Sequence, residues 1–180
     1  MRRRALIRLS IVTLLLAGIL HVAIVKLIPI AITSTFMSRV VGQFGVNRIL
    51  ANPLPTDKAR AVVKPSPDLL YATCIYDVSA GPVRVSITPP STYWSLSLFE
   101  RNSDNFFKLS AADVKGGSAE LIVGQSADAD RAKAAFPSSV FVAAPGSRGV
   151  MLARLLVLDP SHMVAERAAQ QSVRCETIPN

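Results

Sequence analysis

The chain has 180 residues, half of them hydrophobic, with a mean hydropathy of +0.36 and a formal net charge of +8. That length has room for one ordinary domain plus an anchor. The charge suggests nucleic acid at first sight, but without Arg2, Arg3, Arg4, Arg8 and Lys26 the surplus falls to +3, and the remaining charges alternate in sign with no basic run. A nucleic-acid partner is therefore excluded, and the high pI reports on a membrane rather than on phosphate binding.

From Leu9 to Val25 no side chain is formally charged, and Leu, Ile, Val and Ala dominate. As a helix this run is about 25 Å long. Apolar flanks, Ala5 to Ile7 and Leu27 to Ile32, extend it to crossing length, and Arg8 and Lys26 can snorkel to the interfaces. A helix that is apolar all round, with bracketing cations, is not the pattern of a buried soluble helix. Arg2, Arg3, Arg4, Arg8 and the amino terminus precede the run, against Lys26, Arg39 and Arg48 after it, so the positive-inside bias places the N-terminus in the cytoplasm. His21 falls in the outer part of the span, where it meets headgroups. A cleaved signal peptide is the competing reading, but the apolar stretch continues past Lys26 and its best cleavage site, Ala31-Ile32-Thr33, is poor. The expected organisation is a cytoplasmic basic tail (1–8), an anchor in the bacterial inner (plasma) membrane with the lipid bilayer as partner (9–32), a connector (33–68) and a periplasmic domain (69–180).

In the connector, Phe36, Val40, Val41, Phe44 and Ile49 recur at near-helical spacing, which allows a short amphipathic helix. Pro53, Pro55, Pro65 and Pro67 then predict extended or turning chain. The domain opens with a strand over Leu69 to Val78. Val83, Val85 and Ile87 alternate with polar residues as a half-buried strand, and Trp94, Leu96 and Leu98 mark the next. Phe106 to Leu109 follows the polar turn Arg101 to Asn105, and the four together predict an antiparallel meander. Further on come strands at Glu120 to Val123, Val140 to Ala143 and Val150 to Leu158, a short helix over Ser126 to Phe136, and a final helix from the Asp159-Pro160 cap to about Arg174. The fold class is α+β with β dominant: a transmembrane helix, then mainly antiparallel strands with one or two short helices.

The stretch Ser66-Pro67-Asp68-Leu69-Leu70-Tyr71, then Tyr76-Asp77 with Ser79-Ala80-Gly81-Pro82-Val83, is followed by Tyr93-Trp94-Ser95-Leu96-Ser97-Leu98 and Asn102-Ser103-Asp104-Asn105-Phe106. This ordered set resembles the bacterial domain-of-unknown-function family numbered 1254, most of all its short membrane-anchored members. The resemblance implies a β-rich envelope domain and a related envelope protein as partner. It implies no reaction, and it carries over no catalytic residues.

Gly124-Gln125-Ser126-Ala127-Asp128 lies between a strand and a helix, as a nucleophile elbow would, but Asp128 replaces the second glycine. His162 is the one histidine available as a base, and Ser126 as a helix cap accounts for the same residues. Two Cys and two His, far apart, predict no metal site, and no cofactor motif is present. Cys74 and Cys175 are an even pair in an oxidising compartment; a disulfide between the first strand and the last helix and two buried thiols both remain open. Arg154 interrupts an otherwise apolar strand, and a charge there needs a partner. Asp77, Asp104 and Arg148, at strand ends and turns, could converge on it as an anionic-ligand pocket; a structural ion pair or a solvent-open edge is the plainer account. Trp94, Phe99, Phe106 and Phe107 are expected in the core. The functional expectation is a membrane-anchored envelope protein of unknown biochemical role that docks a partner or binds a small ligand, the alternative being an anchored periplasmic hydrolase-like enzyme.

Overall fold

The computed structural model describes residues 2–59, 65–114, 117–161 and 163–178. Its first element, α1 (Arg2–Phe44), is one uninterrupted helix of 43 residues, exposed and long and apolar enough to cross a membrane. It runs straight through the boundary expected at residue 33. Thr33 to Phe44 contains no proline, and Met37 and Val40 are buried on one face with Phe36 and Val41 packed beside them, so tertiary packing outweighs the cost of Gly42. The helix stops where Gly45 takes a positive φ of 81° and donates its N–H to the Val41 carbonyl at 2.9 Å.

Nine strands follow, β1 (Ile49–Ala51), β2 (Leu69–Asp77), β3 (Val83–Ile87), β4 (Trp94–Phe99), β5 (Asn105–Ser110), β6 (Ala119–Gly124), β7 (Val140–Ala143), β8 (Arg148–Leu156) and β9 (Arg174–Thr177). They form a five-stranded sheet in the order β1-β2-β8-β4-β5 and a four-stranded sheet in the order β7-β6-β3-β9. Every pairing is antiparallel except β6 with β7. The domain is thus β-rich α+β, but not a meander: of its first four long strands, only β4 and β5 pair with each other. The alternation of Val83, Val85 and Ile87 locates an inward face without naming its partner strands, and β3 pairs with β6 and β9, far along the chain.

The inner faces of both sheets make one core, with Leu70, Ala72 and Tyr76 from β2, Leu96 and Leu98 from β4, and Met151, Ala153 and Leu155 from β8 against Val85, Leu121 and Val123. Trp94 is buried there, Phe106 and Phe107 pack at its margin, and Phe99 joins the smaller cluster under α1. Fully burying each such aliphatic side chain contributes about 1.5–3 kcal/mol. A short 3-10 helix, Ser126–Asp128, leads into α2 (Ala129–Ala135). The last helix, α3 (Val164–Ser172), starts five residues after Asp159 and ends before Arg174, because Val173 turns extended and the chain joins the second sheet as β9. Gln170, buried on α3, donates from Nε2 to the Asn52 and Tyr71 carbonyls at 2.7 and 2.8 Å and so holds the helix over the end of β1 and β2.

Candidate functional site: the outer face of the five-stranded sheet

Side chains at alternate positions of β2, β8, β4 and β5 point away from the core. At one end of this outer face Ile75, Val150, Phe99 and Leu50 are covered by Met37, Val40, Phe36 and Val41 of α1. Further along the strands the face turns polar, with Thr73, Ser95, Ser97 and Ser110 still buried on it. Tyr71 pairs with Arg154, Arg154 with Ser95, and Ser95 with Ser110, so four strands place these residues in one row. The next row is Thr73, Leu152, Ser97 and Lys108.

Arg154 is half-buried in the central strand, and among the described residues no carboxylate lies within ion-pair distance of it. The Ser95 hydroxyl beside it is buried and has no hydrogen-bond partner among the described residues. Ser110, at the end of the row, donates from both N–H and Oγ to Asp113, at 2.8 and 2.7 Å. These bonds hold the Asp113 carboxyl below the usual carboxylate range. The row therefore combines a fixed cation with unused hydroxyl donor capacity, the chemistry that accepts a carboxylate or phosphate.

The four residues expected to converge do not. Arg148 lies on the same strand as Arg154 but six positions away, about 20 Å at strand rise. Its guanidinium pairs with Asp77, Nε to Oδ2 at 2.5 Å, with the Asp77 side chain 7% exposed. The N–H and hydroxyl of Ser79 also donate to Asp77. Burial pushes the Asp77 carboxyl upward, and the bonds from Ser79 and Arg148 outweigh it, so its pKa ends below the ordinary value. Asp104 sits in the β4–β5 turn, where it accepts from Asn102 Nδ2 at 2.7 Å. Strand direction separates the groups: Asp77 and Arg148 face each other at one end of the β2–β8 pair, and Arg154 lies near the other. Tyr71, Ser95 and Ser110 were not singled out from the sequence, because nothing in it states the register that aligns them with Arg154.

Ser126 is exposed in the 3-10 helix and does not cap it; that position belongs to Gln125, whose N–H donates to Asp128 Oδ2 at 3.0 Å. Asp128 in turn pairs with Arg131 at 2.9 Å. His162 lies outside the described residues. Cys74 and Cys175 are joined, with an S–S distance of 2.04 Å, and the bond ties β2 of one sheet to β9 of the other rather than to the last helix.

Nothing among curated proteins matches the chain. The solved VPA0106 protein from Vibrio parahaemolyticus is similar over 86% of this chain and 37% of its own, with a TM-score of 0.63 and 16% identity. An uncharacterized protein from Burkholderia cenocepacia is similar over 81% of this chain and 40% of its own, with a TM-score of 0.52 and 17% identity. At such identities the likeness is one of fold, and the chain spans less than half the length of either solved protein. A family profile matches residues 46–177, most of the chain and all nine strands, and the protein belongs to that family, described as Protein of unknown function (DUF1254).

Proposed function

We propose that the protein is a membrane-anchored component of the bacterial envelope, N-terminus in the cytoplasm and folded domain in the periplasm, that docks an acidic segment of a partner envelope protein on the outer face of its five-stranded sheet. The observation that supports docking is Arg154, half-buried in a central strand beside the unpartnered Ser95 hydroxyl and without a carboxylate among the described residues. A guanidinium held there by sheet packing is pre-organised for a bidentate carboxylate. The anchor reading draws on the exposed apolar part of α1 and the four arginines before it.

The test uses the full-length protein in membranes with a photo-crosslinking residue at Leu152. A discrete adduct whose crosslinked peptide is acidic, weakened in Arg154→Lys and lost in Arg154→Glu, is the expected result. The same adduct in Arg154→Glu, no adduct at all, or an equal one from Val140 on the other sheet, would sink the docking reading.

A further inference from the structure

The anchor helix does more than tether the domain; it fixes how the domain stands on the bilayer. Thr33 Oγ1 and Ser103 Oγ share a hydrogen bond of 2.5 Å, and Arg101 Nε donates to Ser34 Oγ at 2.9 Å, so the β4–β5 turn is fastened to the helix at residues 33–34. Beyond the helix's end, Asn47 donates its N–H to the Ile75 carbonyl at 2.9 Å and fastens the chain to β2. Between those points α1 crosses the sheet from its β4 side to its β2 side. The eleven steps from Thr33 to Phe44 rise about 16 Å. Three strand spacings, from β5 to β2, come to about 14 Å. The two lengths match, so the sheet order β5-β4-β8-β2-β1 ascends along the helix axis, and the β5 edge is the end nearest the apolar segment.

The height of that edge follows from the helix. A hydrocarbon core of about 30 Å takes about 20 residues, and each headgroup layer adds roughly 5–7 Å. Counted from Leu9, the core ends near Ile28, and Thr33 lies about 7 Å above it. Tilt lowers it further. Arg101 and Lys108 are exposed along this edge, Asp104 is occupied by Asn102, and among the described residues β5 pairs with β4 alone. An unpaired strand edge needs cover, and here the surface beneath it is rich in phosphate acceptors.

We infer that the β5 edge of the sheet and the β4–β5 turn rest in the phospholipid headgroup layer, with Arg101 and Lys108 donating to lipid phosphates. This rests on the anchor reading and goes beyond it, since a tethered domain need not touch the bilayer. The full-length protein, with its native disulfide oxidised, is reconstituted in phosphatidylcholine vesicles containing phosphatidylglycerol. Single thiols are introduced by Asn105→Cys on β5, Ala51→Cys on β1 at the opposite edge, and Leu15→Cys in the apolar segment, and each is labelled with an environment-sensitive fluorophore. Headgroup-attached nitroxide lipid is expected to quench the label at 105 several-fold more than the label at 51. Arg101→Glu with Lys108→Glu should lower quenching at 105 and leave unchanged the quenching at 15 by nitroxide at the bilayer centre. Equal quenching at 105 and 51 with the label at 15 still quenched would overturn this inference alone. Loss of quenching at 15 would overturn the anchor reading and this inference together.

Discussion

The ring of Tyr76 lies across Gly149 on the neighbouring strand, the two being Cα partners in the β2–β8 register. A Cβ at 149 would overlap the Tyr76 hydroxyl and the Phe99 carbonyl, so only glycine fits beneath the phenol. Backbone is one of the atoms met, and rotation of the tyrosine alone cannot make room. Gly149→Ala is expected to destabilise the fold by about 2–3 kcal/mol, an overpacking cost, measurable as a lower midpoint in denaturant.

Tyr76 has a second consequence. Its hydroxyl is fully buried and has no hydrogen-bond partner among the described residues. Burial, with Glu100 adding to it, pushes the phenol well above its ordinary pKa of 10.0. The folded chain keeps the phenol neutral where the unfolded chain ionises, so its contribution is full below about pH 10 and lost as pH rises beyond. Tyr76→Phe removes an unsatisfied group and should raise neutral-pH stability by about 1 kcal/mol. It should also flatten the alkaline limb of stability against pH.

At acid pH the sensitive group is Asp77. Its carboxyl is depressed in the folded state, so its stabilisation is present above the unfolded value near 4 and lost as pH falls through the lower folded value. Asp77→Asn should cost about 2 kcal/mol at pH 7, since it weakens the bonds to Ser79 and Arg148. The variant's stability should then change less than the parent's below pH 4. Parallel urea titrations at pH 7 and pH 3 would show it, and equal losses in the two proteins would refute the assignment.

Asn47 joins the helix exit to both sheets. Its Nδ2 donates to the Asp77 carbonyl at 3.0 Å and to Thr177 Oγ1 at 2.7 Å, while Asp77 N–H donates to Asn47 Oδ1 at 2.7 Å. It does this at a φ of 55°, where asparagine is tolerated and most side chains are not. Asn47→Ala should cost about 2–3 kcal/mol, from the stranded Asp77 N–H and the backbone conformation together. Asn47→Gly should recover only the backbone part. Hydrogen exchange at Asp77 would be the local readout, accelerating in both variants.

The Cys74–Cys175 bond spans 101 positions, and closing a loop of that size stabilises by about 4.7 kcal/mol in the chain-entropy model. Both residues are nearly fully buried, so reductant should act only after the two sheets part. Cys74→Ala with Cys175→Ala is expected to lower Tm markedly while keeping the far-ultraviolet dichroism of a β-rich fold. An unchanged Tm would show that the sandwich does not depend on the bond.

Much of the fold was legible because it is written in local patterns. The apolar run declares a long helix, and the alternation in β3 and β4 declares strands with one inward face. Strand β9 was hidden: Arg174 to Thr177 is four residues long, buries only Cys175, and follows directly on a helix. The unbroken passage of α1 into the domain was hidden too, since the weak periodicity after residue 32 gains its meaning from Ile75 and Val150 beneath it.

For the candidate site the division is sharper. That Arg154 breaks an apolar strand, and so requires an accommodation, is a property of the sequence alone, as are the anchor-length helix and the cysteine pair. Which strands flank β8, and in what register, is not. The pairing partners Ser95 and Tyr71 lie 59 and 83 positions from Arg154 in the chain, and a slip of one residue would turn the row inward. The packing of the core face fixes that register, and with it places Tyr71, Ser95 and Ser110 beside Arg154 while carrying Asp77, Arg148 and Asp104 away. The sequence by itself determined the kinds of groups present; the tertiary structure decided which of them meet, because side-chain neighbours in a sheet are set by long-range pairing and not by order along the chain.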